Sequence, residues 1–299
     1  MDNPQCLREA EEITQLSDIA FVNYLIEINL IPRFQTCQCG RQMNIEKNSS
    51  SSDGVSWRCT HKYCRKFKTI KTGSVFENCG YNLKQCFRIY SAWAANFRQM
   101  DIAQYIGVKD THVIGRLCKI FRDKCSEKYI EDLTSNPLGS TGGLIQIDES
   151  ATGKAKFHRG RALKRECMWV AGAVDNETNR VAVEQIPNRT QKTLTKFVQD
   201  NVQAQSTIHT DNWRSYNNLS SLGYNHDTVN HSVEFVKEND DGTVTHTQKV
   251  EGNWTSMKKY IKHHSAHHRA YTNSYVQNWA YRRNVGNSFN NCFNVIKDS

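Results

Sequence analysis

The sequence predicts an α/β fold in the second half of the chain, with a mixed five-stranded sheet, helices, and two small modules before it. Three observations carry this prediction. After residue 143, apolar runs of strand length alternate with amphipathic helical segments. A stretch rich in Gly, Ser, Thr and Pro, residues 134–143, separates these runs from a helical region upstream. Two cysteine pairs lie nearer the N-terminus, where a metal is expected to tie a small segment together.

Composition limits the classes of protein that this chain can belong to. It has 299 residues, of which 38% are hydrophobic, a mean hydropathy of −0.69, and no apolar run of about 18 residues. We expect no membrane span and no secretory signal, because the first residues lack a basic and then apolar pattern. We therefore expect an intracellular protein, in the nucleus of a eukaryote or otherwise in the cytoplasm or nucleoid. The formal charge of +9 favours an anionic partner such as nucleic acid.

The N-terminal region divides into a helical segment, residues 1–32, and a cysteine-containing module, residues 33–78. The module has two cysteine pairs separated by a hairpin-sized insert, which is the plan of a zinc ribbon: Cys37, Cys39, Cys59 and Cys64. Thiolates suit tetrahedral Zn²⁺, and the metal stabilises a segment too small to form a core. The spacing within each pair is irregular, so His61 is an alternative ligand and reduced buried thiols are the alternative to a metal site.

Residues 79–133 are predicted to be a helix-turn-helix DNA-binding region. A short helix, a turn at Gly107, and a second helix capped by Asp110 or Thr111 follow a strongly helical segment at 83–97. Basic side chains on the second helix are candidates for DNA contacts in a major groove: Arg116, Lys119 and Arg122. An ordinary pair of packed helices remains the alternative. Residues 134–143 are the predicted linker.

The region after the linker has a characteristic order of elements. Strands are predicted at 144–148, 168–174, 180–186, 206–210 and 227–230, and helices at about 190–202, at about 216–222, and from about 247 into 262–268. A basic segment, 154–165, lies between the first two strands, and a polar hairpin-like stretch, 234–246, precedes the last helix. This is the order of elements in the ribonuclease-H-like fold, an inference by analogy.

Three acids fall at positions where that fold would bring them together. Asp148 ends the first strand, Asp211 follows the fourth, and Glu251 lies on the last helix. The first and fourth strands are neighbours in that fold, so Asp148 and Asp211 are expected to converge. The alternative is three solvated surface acids.

Carboxylate oxygens are the ligands that Mg²⁺ prefers. Two Mg²⁺ or Mn²⁺ ions, about 3.5–4 Å apart, activate a nucleophile and stabilise the leaving oxygen in phosphodiester cleavage. We expect Asp148 to bridge both ions, with Asp211 on one and Glu251 on the other. Trp254 and Lys258 share a helical face with Glu251. Trp254 is expected to pack the helix against the sheet or to stack near DNA, and Lys258 to contact a phosphate.

The sequence resembles Merlin-type DDE transposases and the related bacterial insertion-sequence transposases with an N-terminal zinc ribbon. The stretches that carry this resemblance are the cysteine pairs, Lys71–Phe76, the helix-turn-helix, Ile147–Ser150, His209–Asp211, Val250–Lys258 and Tyr275–Asn284. The resemblance implies a cut-and-paste transposase that binds terminal inverted repeats and target DNA, and it assigns the catalytic triad to Asp148, Asp211 and Glu251. It places the ribonuclease-H-like catalytic domain at 144–272 and a C-terminal tail at 273–299. The tight first cysteine pair departs from the usual spacing.

Three further expectations follow. Transposases pair two transposon ends, so we expect a homodimer or a higher assembly on DNA. One alternative function is a ribonuclease-H-like nuclease without strand transfer. The other is a domesticated or inactive transposase that acts as a DNA-binding protein.

Overall fold

A computed structural model describes residues 3–152, 168–229, 237–238, 244–245, 247–264 and 269–296. The chain divides into two compact units. Unit 1 contains residues 1–124 and 285–299, and unit 2 contains residues 125–284. The basic segment 154–165 lies outside the described residues. None of the helices in the described part of the chain is long and apolar enough to cross a membrane.

Unit 1 begins with two helices and a small antiparallel sheet. Their bounds are α1 Leu7–Thr14, α2 Asp18–Glu27, β1 Gln35–Thr36, β2 Gln42–Lys47, β3 Val55–Cys59 and β4 Phe67–Thr69. The sheet order is β1-β2-β3-β4. The predicted N-terminal helical segment is thus two helices, because the chain leaves the helical path between Thr14 and Asp18.

The helices that follow form the core of unit 1. They are α3 Leu83–Ala94, α4 Gln99–Ile106 and the first part of α5 His112–Ser135, which continues into unit 2. Gly107 ends α4 with a φ of 76°, the left-handed conformation that glycine adopts without strain. Asp110 caps α5, since its carboxylate accepts the backbone N–H of His112 at 2.8 Å. Aromatic rings fill the core around α3: Phe21, Phe87, Tyr90, Phe121 and Phe293.

Unit 2 contains one mixed sheet of five strands. They are β5 Leu144–Thr152, β6 Met168–Asp175, β7 Val181–Ile186, β8 Thr207–Asp211 and β9 Asn225–Val229, with α6 Gln191–Asn201 between β7 and β8. The sheet order is β7-β6-β5-β8-β9. β6 is antiparallel to both of its neighbours, and β5, β8 and β9 are parallel. This arrangement confirms the predicted ribonuclease-H-like fold.

The remaining elements follow the sheet along the chain. They are β10 Lys237–Glu238, β11 Val244–Thr245, α7 Gln248–His263, α8 Arg269–Asn284 and, back in unit 1, α9 Phe289–Phe293. β10 and β11 pair as a short antiparallel hairpin. The helix predicted at about 216–222 is wrong, because short 3₁₀ turns at Arg214–Tyr216 and Ser220–Leu222 replace it. Gly223, with a φ of 88°, ends the second turn before a full helical turn can form.

Two side chains cover the exposed edge of the sheet at β7. The backbone N–H of Val183 donates to the Tyr129 hydroxyl at 2.6 Å. The side chain of Asn284, the last residue of α8, bonds both the N–H and the C=O of Val181, at 2.8 and 3.0 Å. These backbone groups of β7 are already bonded and cannot pair with a further strand. Through Asn284, the end of α8 thus covers part of this edge of the sheet.

Candidate active site

Asp148 and Asp211 lie at the same level on neighbouring parallel strands. β5 and β8 pair with Gln146 opposite His209, and each aspartate follows two residues later on the same face as its paired residue. Adjacent strands are about 4.8 Å apart. The structure therefore brings the first two predicted acids side by side. Asp211 ends β8 as predicted, but β5 continues to Thr152, so Asp148 lies within its strand and not at its end.

The electrostatics of this pair indicate a site that favours a cation. The pKa of Asp148 is raised to about 6, chiefly by burial and also by the charges of Glu149 and Asp211, while the hydrogen bond from Trp254 opposes the shift. Within the described part of the chain, neither Asp148 nor Asp211 forms an ion pair with a basic side chain. Two neighbouring carboxylates without a basic partner are a donor set that fits a divalent metal ion.

The helix α7 is anchored on β5 by the residues that flank the site. The buried side-chain oxygen of Gln146 accepts the backbone N–H groups of Lys249 and Val250, at 2.9 and 3.3 Å. These N–H groups lie in the first turn of α7, where no bond within the helix satisfies them. One helical turn further on, the indole N–H of Trp254 donates to Asp148 Oδ2 at 2.8 Å.

Trp254 reaches Asp148 by passing over Gly172, which is paired with Asp148 on β6. A Cβ atom built on Gly172 would lie 2.3 Å from Trp254 Cη2, closer than any real contact. Glycine inside a strand often marks such a close approach. Of the two roles predicted for Trp254, packing the helix against the sheet is the one this structure contains.

Glu251 lies one turn before Trp254 on α7, and its side chain is exposed. Its Oε1 accepts a hydrogen bond from the Thr247 hydroxyl at 3.2 Å. Among the described residues, Asp148, Asp211 and Glu251 do not form a close three-ligand cluster in the way that the cysteines do. The three-acid site therefore stays a prediction, with two of its members adjacent.

Glu149, next to Asp148, points to the opposite face and is fully engaged there. Its Oε1 accepts the Tyr216 hydroxyl, and its Oε2 accepts Arg189 Nε at 2.7 Å. The side chain has no exposed area. Burial raises its pKa, against these two hydrogen bonds. Sequence reasoning found neither Arg189 nor Tyr216, because neither belongs to a motif around the acids.

The predicted zinc ligands come together in unit 1. The sulfur atoms of Cys37, Cys39, Cys59 and Cys64 all lie within 4.8 Å of one another. The Cys37–Cys64 and Cys39–Cys59 sulfur distances are 3.6 and 3.5 Å. A tetrahedron of thiolates around Zn²⁺ has edges of about 3.8 Å. Four thiolates suffice for such a site, so the alternative ligand His61 is not needed.

The ionisation of two of these thiols differs. The backbone N–H of Cys39 lowers the pKa of Cys37 to about 7, whereas burial raises the pKa of Cys59 to about 12. The cysteine cluster fits a zinc ribbon.

The predicted DNA contacts occupy different environments. Arg116, Lys119 and Lys258 are exposed. Arg116 Nη2 donates to the backbone oxygen of Asn78 at 2.7 Å, and Lys119 pairs with Asp123 at 2.6 Å. Arg122 is only 4% exposed. The prediction for Arg122 is corrected, because a guanidinium buried in the fold cannot reach a DNA phosphate in this conformation.

A family model matches the segment of the chain that carries this geometry. Residues 141–284 match the family model of the ISXO2-like transposase domain. That segment is just under half of the chain, and it contains both adjacent aspartates, Glu251 and Trp254. The predicted resemblance to insertion-sequence-type DDE transposases is thereby confirmed for this segment, and the narrower Merlin-type assignment stays a prediction. A search of curated proteins found no match to the chain.

Solved structures similar to the chain include two retroviral integrase domains. The catalytic core domain of BIV integrase is 14% identical with a TM-score of 0.33, over 47% of this chain and 82% of that one. The catalytic core domain of HTLV-2 integrase in complex with magnesium is 16% identical with a TM-score of 0.28, over 42% and 73%. Because both TM-scores are below 0.5, the fold assignment rests on the strand order.

Proposed function

We propose that this protein is a DDE transposase that cleaves DNA at transposon ends and joins the freed 3′ ends to target DNA. The observation that carries the proposal is the pair Asp148 and Asp211, side by side on neighbouring strands in a segment that matches a transposase domain. Neighbouring carboxylates that can share divalent metal ions are what metal-dependent phosphodiester chemistry requires.

Asp148, Asp211 and Glu251 would hold Mg²⁺ or Mn²⁺, two ions in the complete site. When bound, the ions would activate the attacking water or 3′-hydroxyl and neutralise charge on the leaving 3′ oxygen. Trp254 holds one oxygen of Asp148, which leaves Oδ1 and the remaining lone pairs of Oδ2 for metal. Glu251 would complete the set from α7, whose position on β5 is supported by the bonds to Gln146 and Asp148.

DNA binding by this protein would use surfaces in both units. We propose Arg116 and Lys119 on α5, and Lys258 on α7, as contacts to DNA phosphates. The cysteine cluster would hold a structural zinc ion in a ribbon spanning 33–78, beside the helix-turn-helix region 79–133. Because two transposon ends must be joined in one event, the active form would be a dimer or a larger assembly on DNA.

The test is a cleavage and joining assay with purified full-length protein. The substrates are duplexes that carry the inverted repeats flanking the coding region, with a supercoiled plasmid as target. We expect cleavage and joined products that require Mg²⁺ or Mn²⁺ and that are lost in Asp148→Asn, while end binding in a gel-shift assay is retained.

Three other outcomes would refute the proposal. Cleavage without joined products would indicate a nuclease that lacks strand transfer. Selective end binding without cleavage would indicate a DNA-binding protein of transposase origin. Full activity of Asp148→Asn would contradict the catalytic assignment.

A further inference from the structure

The loop that follows β8 begins directly after Asp211, the last residue of that strand, and folds back onto Arg189. The backbone N–H of Trp213 donates to Asp211 Oδ1 at 3.2 Å. The indole N–H of Trp213 and the hydroxyl of Ser215 both donate to the backbone oxygen of Arg189, at 3.4 and 2.9 Å. The loop next to the second aspartate is thus bonded at two points to the backbone oxygen of Arg189.

The Arg189 side chain also contacts this loop, at the ring of Trp213. Its guanidinium carbon lies 4.6 Å from the ring centroid of Trp213 and 4.6 Å from that of Trp169 on β6. A guanidinium between two indole rings is attracted to both faces. The Nε of the same group donates to Glu149 Oε2 at 2.7 Å, and its Nη2 forms an ion pair with that oxygen at 2.7 Å.

These contacts connect the two aspartates through side chains on the face opposite to α7. Glu149 follows Asp148 in β5, Glu149 binds Arg189, Arg189 stacks on Trp213, and the Trp213 backbone binds Asp211. The buried Glu149 is fixed a second time by the Tyr216 hydroxyl, from the same loop as Trp213. Moving Arg189 would therefore move the loop relative to β5.

We propose that Arg189 is a positioning residue that sets the distance between the carboxylates of Asp211 and Asp148, and with it the affinity of the metal site. This inference rests on the proposed function. We expect that lysine cannot replace it, because a planar guanidinium stacks on both rings while its Nε donates to a carboxylate, a combination that a lysine ammonium cannot reproduce. Residues that orient metal ligands typically change metal affinity by about 10- to 100-fold when they are replaced.

The experiment is a titration of zinc-loaded, full-length protein with Mn²⁺, followed by electron paramagnetic resonance, with Asp211→Asn defining the signal of this site. Arg189→Lys is expected to weaken Mn²⁺ binding about tenfold or more and to lower kcat, with an unchanged KM for end DNA. The matched control is Arg180→Lys. Arg180 is also ion-paired, with Asp132 at 2.6 Å, and its side chain is 24% exposed against 25% for Arg189. Arg180→Lys should bind Mn²⁺ as the wild type does.

A second pair of variants keeps the test decisive if Arg189→Lys fails to fold. Trp169→Leu removes one of the two rings around Arg189 without touching either aspartate, and Trp169→Phe restores a ring. We expect weaker Mn²⁺ binding in Trp169→Leu and recovery in Trp169→Phe.

The inference is overturned if the wild type binds Mn²⁺ and cleaves DNA but Arg189→Lys, or Trp169→Leu in its place, binds Mn²⁺ equally well. A raised KM with normal Mn²⁺ affinity in Arg189→Lys would also overturn it, by making Arg189 a DNA contact. Failure of the wild type itself to bind Mn²⁺ or to cleave would instead refute the proposed function, and the inference with it.

Discussion

The indole N–H of Trp254 donates to Asp148 Oδ2 at 2.8 Å, and so joins the helix α7 to the strand that carries the first aspartate. Glu251 lies three residues before Trp254 and therefore on the same side of α7. Because of this bond, the orientation of the Asp148 side chain depends on the position of α7, the helix that carries Glu251. One contact thus influences two members of the proposed metal site.

Replacing Trp254 with Phe tests whether this bond matters for catalysis. The ring still packs over Gly172, but the N–H donor is lost, and Asp148 is free to change its side-chain conformation. We expect kcat for DNA cleavage to fall about 10- to 100-fold, as for other residues that orient metal ligands, with a smaller effect on stability. The rate is measured by single-turnover cleavage at saturating DNA. If Trp254→Phe cleaved DNA as fast as the wild type at every Mg²⁺ concentration, the bond would have no catalytic role.

Replacing Gly172 with Ala tests the close packing beneath Trp254. The new methyl group would lie 2.3 Å from the indole ring, so the ring must move. Overpacking of this kind typically costs about 1–3 kcal/mol. We expect a lower free energy of unfolding in urea and loss of cleavage.

Two further variants control the Gly172 experiment. Adding Trp254→Leu to Gly172→Ala should recover stability but not activity, because the clash is removed and the hydrogen bond is not restored. Gly252→Ala, with no atom near its added Cβ, should be neutral or stabilise α7 by up to about 1 kcal/mol. Equal stability of Gly172→Ala and the wild type would contradict the packing described here.

The raised pKa of Asp148 predicts how stability depends on pH without Mg²⁺ or Mn²⁺. The folded-state pKa is about 6 against a reference of 3.8, so the folded protein binds the proton more tightly than the unfolded chain. This group therefore favours folding at low pH, and that contribution is lost as pH rises from about 4 through 6. At pH 7 the shift lowers the free energy of unfolding by about 3 kcal/mol relative to a protein in which the pKa of Asp148 is the same folded and unfolded.

Asp148→Asn isolates this contribution, because asparagine does not titrate. The difference in free energy of unfolding between Asp148→Asn and the wild type, measured in urea from pH 4 to 8, should shift in favour of the variant as pH rises. Saturating Mn²⁺ at pH 7 should stabilise the wild type more than the variant. A pH-independent difference would show that the pKa of Asp148 is not raised in the folded protein.

The cysteine cluster predicts one zinc ion per chain. Cys59→Ser removes one thiolate ligand, so we expect loss of zinc and a lower thermal midpoint for the protein. Plasma mass spectrometry gives the zinc content, and calorimetry gives the midpoint. Cys6→Ser, an exposed cysteine outside the cluster, should retain zinc. A freshly purified protein that contains no zinc and is unaffected by Cys59→Ser would refute the site.

Sequence reasoning predicted that Asp148 and Asp211 lie side by side because strands are local features of the sequence. The apolar run before Asp148 and the one before Asp211 each predict a buried strand, and the order of elements makes those strands neighbours. Side-chain contacts between segments that are far apart in the chain produce no recognisable sequence pattern. Gly172 carries a weak signal, as a glycine inside a strand, but nothing near it in the sequence points to Trp254.

The two clear errors have different causes. Helical periodicity placed Arg122 outside the apolar face of α5, but Arg122 lies four residues after the buried Cys118 and three before the buried Cys125, so it belongs to the buried stripe of that helix. The segment predicted as a helix at about 216–222 is rich in Asn and Ser, which favour turns over helix interiors. Contacts with Arg189 and Glu149 then hold the start of the segment in a short 3₁₀ turn.

Anomalous diffraction from crystals of the protein grown with end DNA and Mn²⁺ tests the central claim most directly. The account predicts anomalous density between Asp148 and Asp211, within about 2.5 Å of an oxygen of each, with Glu251 as a further ligand. It would be contradicted by crystals in which DNA occupies the protein and no Mn²⁺ lies between those two carboxylates.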